Sequence, residues 1–243
     1  MGAHPKTIAF VAGATGLTGR HVVHALRQRN VETVAHIRPD SGRFDEWKKH
    51  FEALGARVSD AAWTASSMSA ALDATQPTLL FGLLGTTKKR AKQGGGDYQA
   101  IDYGLTRLLI EAAEALTSPP RFIYLSAVGV SSDTRNTYMK ARAQVEERLE
   151  ESRLPSLIAR PSFILGNRDD FRLGETIGAP ILDGLMGLVS VLGGNQLTGK
   201  YRSMSGENLA AALVEMGLNG RDGLVHVPEL KHAAAHFKLM CPS

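Results

Sequence analysis

The stretch TIAFVAGATGLTGR, from Thr7 to Arg20, constrains the fold more than any other part of the chain. An apolar run, Ile8 to Ala12, gives way to Gly13, Gly16 and Gly19, and a helical pattern follows through Val22, Val23 and Leu26. Strand, tight turn and helix start are the reading. Glycines let a backbone turn sharply and approach a ligand, and the open N–H groups of a helix start favour an anion. The spacing is G-x-x-G-x-x-G, a variant of the commoner G-x-G-x-x-G dinucleotide turn. Placed after a first strand, it predicts a pyrophosphate cradle at Gly13, Gly16 and Gly19, in a cofactor-binding turn that also holds Thr15, Leu17 and Thr18.

The rest of the chain supports that frame. Strand-like runs alternate with helix-like ones: a strand at Val31 to Ile37, a helix from Arg43 to Leu54, and a short strand at Ala56 to Ser59. A buried strand follows at Thr78 to Leu84, then a long helix pattern over Asp97 to Leu116 and a strand at Arg121 to Ala127. A helix over Thr137 to Ser152 leads into the strand SLIAR at 156–160. Such alternation predicts an α/β fold of the Rossmann type, a doubly wound parallel sheet covered on both faces. With 243 residues a single domain is expected, and 161–243, less regular, is expected to add a small substrate-side lobe.

The second strand ends in HIRPDSGR. In this fold that strand end meets the adenosine ribose, and an acidic residue there would repel a 2′-phosphate. Arg38 comes first, with Ser41 and Arg43 behind it, which favours NADP(H). Asp40 follows Pro39 and is expected to point elsewhere. Asp60, at the end of the third strand, is expected beside the adenine. Gly85 and Thr86 fall where a fourth-strand turn passes the cofactor's ribose and phosphates. Lys88, Lys89, Arg90 and Lys92, followed by glycines at 94–96, are read as a solvated loop.

Ser126 ends the fifth strand, and Tyr138 opens the next helix. A phenol can donate the proton that accompanies hydride transfer to a carbonyl when a fixed cation lies beside it, and a serine hydroxyl can polarise the same oxygen. Residues four apart share a helix face, which brings Arg142 and then Glu146 into line with Tyr138. No G-x-S-x-G elbow occurs, so acyl transfer has no nucleophile.

GATGLTG, LGTT (84–87), YLSAVG (124–129), YMKARAQVEERL (138–149) and ARPSFILG (159–166) together resemble the atypical short-chain dehydrogenases, closest to the Tat-interacting oxidoreductase branch and its bacterial relatives. The resemblance runs from Thr7 to about Asn208. It implies a Rossmann-type sheet with a small C-terminal lobe, NADPH as cofactor, and the glycine turn as its phosphate site. It also implies Arg38 near the 2′-phosphate, Leu84 and Gly85 along the cofactor, and Pro161 and Ser162 near the nicotinamide. Ser126 and Tyr138 carry over as polarising group and proton donor. The family pattern is Y-x-x-x-K, and here Arg142 stands in the lysine position. An arginine keeps the charge, but its planar fork does not reproduce a lysine's contacts with ribose hydroxyls.

A net charge of +4 suits anionic ligands without implying nucleic acid, because no clustered basic motif accompanies it. The one cysteine, Cys241, forms no intrachain disulfide. The start MGAHPKT has no signal-peptide character, and the apolar segment 181–192 is too short to span a bilayer and contains Asp183. That segment is expected to line the substrate cleft or the lobe core. His232 and His236, and His21 and His24, have ligand-like spacing but no third partner, so no metal is expected. The expected partner is a small-molecule substrate, with neither nucleic acid nor membrane, in a cytoplasmic monomer or homodimer. The leading function is an NADPH-dependent oxidoreductase. A non-catalytic NADP(H) sensor that binds a protein partner is the alternative, favoured by the lysine-to-arginine change.

Overall fold

The computed structural model describes residues 6–85, 98–162, 164–165 and 204–241. Ile8–Ala12 forms β1, Leu17–Gln28 α1, Glu32–His36 β2, Phe44–Ala53 α2 and Arg57–Ser59 β3. Ala65–Thr75 is α3, and Leu79–Gly82 is β4. A π-helical stretch, Gln99–Leu105, runs into α4, Thr106–Glu114. Arg121–Leu125 is β5, Thr137–Glu151 α5 and Ser156–Arg160 β6. Ile164–Leu165 (β7) pairs with Met204–Ser205 (β8), and α6 (Gly206–Leu218), β9 (Gly223–His226) and α7 (Val227–Met240) follow.

Seven strands make one sheet in the order β3-β2-β1-β4-β5-β6-β9, and every pairing is parallel. Successive residues of β1 serve opposite layers. Ala9 and Val11 meet α1, α2, α6 and α7, whereas Phe10 and Ala12 meet α3, α4 and α5. Burial on both faces explains why the central strands are apolar throughout rather than alternating. The order reverses between β1 and β4, which opens a crevice above their carboxyl ends, the place where such sheets take ligands. The expected fold class is the one observed.

Two features differ from the sequence reading. Helix α3 has no amphipathic signature in a run of Ala and Ser, yet it seats Met68 and Leu72 in the core. The long helix pattern is broken by the π-helical segment. The described part of the C-terminal region adds β9 to the sheet and packs α6 and α7 on one face. The segment at 181–192 lies outside the described residues, as does the basic loop from Lys88 to Lys92. Among the described residues no helix is long and apolar enough to cross a membrane.

At the far end of the sheet from the crevice, one arginine closes the C-terminus of α2 and another pairs with a buried carboxylate. Arg27 donates from Nε to Leu54 O (3.2 Å) and from Nη1 to Val31 O (2.5 Å), and Arg29 meets the buried Glu215 of α6 at 3.1 Å. Cations suit the negative ends of helix dipoles, so much of the basic charge there belongs to the fold.

Candidate functional site

The glycine turn sits at the crevice, and its three glycines do different work. Gly13 has φ +83°, and a Cβ there would lie 2.6 Å from Leu83 O, so it allows the turn and the close passage of β4. A Cβ on Gly19 would meet Gly13 O at 2.1 Å, which makes that glycine a packing requirement between α1 and the turn. Gly16 is exposed, has an ordinary φ of −74°, and among the described residues a Cβ there would touch only Gly13 O, at 3.2 Å. Gly16 is therefore the position where a side chain would project into ligand space.

Gly16 is also the N-cap of α1, with no side-chain cap and no acidic residue in the first turn. The starts of α3, α5 and α6 are closed by Thr64, Asn136 and Ser205. An uncapped helix start facing a crevice leaves N–H donors for an anion. The residues present thus fit a dinucleotide pyrophosphate. Thr15 is half-buried, Thr18 is buried, and Leu17 turns toward Gly206 at the start of α6, 3.5 Å from a Cβ built there.

At the end of β2, Arg38 is half-exposed and Asp40 exposed, and they are paired, Nη1 to Oδ2 at 3.2 Å. The expectation that Asp40 points elsewhere is corrected: Ser41 N donates to Arg38 O at 3.0 Å, and that tight turn swings Asp40 back to Arg38. Arg43 is held by both Glu46 oxygens, at 2.6 and 2.9 Å, and lies over the Trp47 ring. Asp60 is exposed beyond β3. The sequence reading missed His36, which is buried between the Phe10 and Trp63 rings with Nε2 2.8 Å from Ala61 O. Burial holds its pKa below the ordinary imidazole value; the contact with Ala61 O and the charge of Asp60 oppose that shift, while the charge of Arg38 adds to it.

Asn136 accepts from Tyr138 N (3.0 Å) and Met139 N (3.3 Å), which fixes the start of α5 and with it Tyr138. The Arg142 guanidinium lies 4.8 Å from the centre of the half-buried Tyr138 ring. It is itself buried. Its Nη2 reaches Asp102 Oδ1 at 3.1 Å and Leu84 O at 3.5 Å; its Nη1 donates to Leu125 O and lies 3.3 Å from the Tyr124 hydroxyl. One side chain thus ties together the residues that follow β4 and end β5. Burial opposes its charge, but Tyr138, Tyr124 and Asp102 outweigh that and raise its pKa. A Cβ on Gly85 would stand 3.3 Å from Arg142 Nη2, so the guanidinium lies directly against the turn after β4.

Ser126 is buried, and its hydroxyl donates to Glu146. Arg160, at the end of β6, grips the same carboxylate with Nε (3.0 Å) and Nη2. A carboxylate paired with a guanidinium offers acceptors only, so the Ser126 proton is committed to it. The polarising O–H expected of Ser126 is directed at Glu146. Tyr98, 5.3 Å from Tyr138 in an edge contact, adds a second phenol, raised in pKa by burial and then by Asp102 and Tyr138. Burial pushes Tyr124 further up. Pro161 and Ser162 follow β6, and Pro161 O accepts from Val128 N at 2.9 Å. Thr86 lies outside the described residues.

Asp102, Tyr124 and Arg160 were not singled out in the sequence, because each needs a partner from another element. The π-helical turn that carries Asp102 is the kind of irregularity found at functional sites, but it has no sequence mark here. The histidine spacings lead elsewhere: His236 Nδ1 meets Glu215 Oε1 at 2.7 Å, and His232 is exposed.

The profile of the NAD(P)H-binding family matches residues 13–177, from the first glycine past the end of β7. The chain belongs to that family. Among curated proteins it is 28% identical over 219 residues to "Protein FMP52-1, mitochondrial" of Scheffersomyces stipitis, covering 86% of this chain and 90% of that one. Among solved structures it superposes on UDP-glucose 4-epimerase from Brucella ovis in complex with NAD, with a TM-score of 0.65, 18% identity and coverage of 91% and 76%. It also superposes on ChuY, an anaerobilin reductase from Escherichia coli O157:H7, with a TM-score of 0.57, 18% identity and coverage of 90% and 93%. An epimerase and a reductase thus share this family member's fold, and the reaction has to be argued from the site.

Proposed function

We propose that the chain is an NADPH-dependent oxidoreductase, an atypical short-chain dehydrogenase close to the Tat-interacting oxidoreductase branch, acting on a small carbonyl or hydroxyl compound in the cytoplasm. The observation that carries this reading is Tyr138, held at the start of α5 against the buried Arg142 guanidinium beside the cofactor crevice. Bound there, the reduced nicotinamide would supply the hydride. Gly16 and the open start of α1 hold the pyrophosphate, and Arg38 takes the 2′-phosphate. Leu84, Gly85, Pro161 and Ser162 line the route to the nicotinamide. Tyr138 Oη gives its proton to the carbonyl oxygen as that oxygen becomes a hydroxyl. Ser126, its own proton committed to Glu146, does not polarise the carbonyl in this arrangement and can accept only from the hydroxyl form of the substrate.

The alternative is an NADP(H)-binding regulator without turnover, and a specific observation favours it. Arg142 is spent on Asp102, Leu84 O and Leu125 O, whereas the family lysine would be available to ribose hydroxyls. A sugar-nucleotide epimerase uses the same fold.

A screen of small aldehydes, ketones and quinones with NADPH, read as loss of reduced-cofactor absorbance, tests the two. The enzyme reading expects turnover that falls roughly two to four decades in Tyr138→Phe while NADPH affinity persists. Full activity in Tyr138→Phe removes Tyr138 as proton donor, and binding without turnover across the screen favours the regulator.

A further inference from the structure

With Ser126 turned to Glu146, the site has one hydroxyl fewer for a substrate than its sequence suggested. The next residue, Ala127, packs with Tyr138 on the small cluster of Val130, Met139 and Ala143. Successive residues at the end of a strand face opposite ways, so the side chain beside Tyr138 is a methyl group. A carbonyl oxygen has two lone pairs, and Tyr138 fills one. If that oxygen is to be polarised further, the donor has to come from another element. Among the described residues Tyr98 meets that need. Its ring centre lies 5.3 Å from that of Tyr138, edge-on at 68°, and both residues are half-buried. Tyr124, a third phenol near Arg142, is 1% exposed and out of a substrate's reach.

We propose that Tyr98 is a further catalytic residue, the donor that polarises the substrate's carbonyl oxygen beside Tyr138. The proposal rests on the reductase reading of the site. The two phenols divide the work according to their surroundings. The Arg142 guanidinium lies 4.8 Å from the Tyr138 ring centre, so Tyr138 is the phenol whose loss of a proton is supported. Burial, and then the charges of Asp102 and Tyr138, oppose ionisation of Tyr98. Tyr98 therefore keeps its proton throughout and acts by hydrogen bonding alone, while Tyr138 gives its proton and the reduced nicotinamide the hydride. Tyr98 is also the N-cap of the π-helical turn that carries Asp102, whose Oδ1 meets Arg142 Nη2 at 3.1 Å. The position of the donor is thus tied to the same braced pair as Tyr138. A neutral donor already in place stabilises charge as it develops on the oxygen, with no reorganisation during the step.

Steady-state reduction of phenanthrenequinone and para-nitrobenzaldehyde by NADPH tests this in wild type, Tyr98→Phe, Ser126→Ala and Tyr138→Phe, with calorimetric titration of NADPH into each. Tyr98→Phe removes one oxygen and keeps the ring, so its melting temperature should match that of wild type. Its kcat and kcat/KM should fall together by roughly a hundredfold, with KM and NADPH affinity unchanged, the pattern of a donor used in the transition state. Ser126→Ala should lose less than Tyr98→Phe. Unchanged kcat in Tyr98→Phe, or a larger fall in Ser126→Ala, overturns the proposal. A change confined to KM overturns it too, because that marks a contact made equally to bound substrate and transition state. In each of those cases a fall in Tyr138→Phe leaves the reductase reading standing. NADPH binding by wild type without turnover of either probe refutes the reductase reading, and the proposal with it.

Discussion

Arg142 should be as much a structural residue as a functional one, and replacing it separates the two roles. Arg142→Ala would take the Arg142 guanidinium away from Asp102, which is 1% exposed, and would strip a donor from Leu84 O and Leu125 O. Breaking a buried ion pair from one side costs about 3–5 kcal/mol. For a domain of this size that corresponds to a fall in Tm of roughly 6–20 °C. Arg142→Lys keeps the charge opposite Asp102, but one ammonium cannot reach carbonyls beyond two different strands. Losing one hydrogen bond from a charged donor costs about 1.5–3 kcal/mol, partly offset because the buried and unpartnered Arg142 Nε disappears. A net loss of about 1–3 kcal/mol is expected, with NADPH affinity maintained and any reductase activity kept or raised. Urea unfolding at unchanged m-value measures it. An Arg142→Ala loss under about 1 kcal/mol would refute the reasoning, because the guanidinium would not then be bracing the strand ends.

The glycine turn gives a second expectation. Gly16→Val should cut NADPH affinity at least about a hundredfold with little loss of stability, whereas Gly13→Val and Gly19→Ala should destabilise the protein, since their Cβ atoms would sit 2.6 and 2.1 Å from backbone oxygens. Calorimetry paired with thermal melting distinguishes them, and tight binding by Gly16→Val would remove the cradle. A third concerns His36, whose folded-state pKa lies below its ordinary value of about 6.5. The unfolded chain binds the extra proton first, so stability falls as pH drops from about 6.5 toward that depressed pKa. His36→Gln should flatten that slope in a Tm-against-pH series, and an unaltered slope would mean that His36 does not carry it.

Local signals made the frame legible. The glycine turn marked the end of β1 and start of α1 because glycine is required there by φ and by contact, and strand and helix alternation gave the parallel sheet. The register of Tyr138 and Arg142 was legible because a helix repeat is a local property. Helix α3 was not, since it is built on Ala and Ser with few apolar anchors. Nor was Asp102, which reaches Arg142 across 40 positions of sequence, or Arg160, whose target Glu146 lies on a different element. Asp40 was misjudged for a related reason: the preceding proline argues for a bend, but the direction of that bend depends on the Ser41 N to Arg38 O bond. Patterns along the chain show which face a residue occupies; which charge meets which is decided across it.

The two carboxylates under the site help explain how an arginine is accommodated in the lysine position. An arginine there is larger than a lysine and always charged, and buried with no counter-charge it would cost several kcal/mol. Asp102 answers that charge from the π-helical turn, and the two backbone carbonyls take further donors. Glu146 is answered separately by Arg160, and among the described residues Ser126 is the neutral group bonded to it. The Tyr138 ring therefore lies against a fixed cation, and Ser126 is held by an independent pair. Catalysis needs only the first of these to survive, so Asp102→Asn, which weakens the hold on Arg142 without removing it, should affect turnover more than cofactor affinity if the chain is an enzyme. On the regulator reading the same change would show in stability alone.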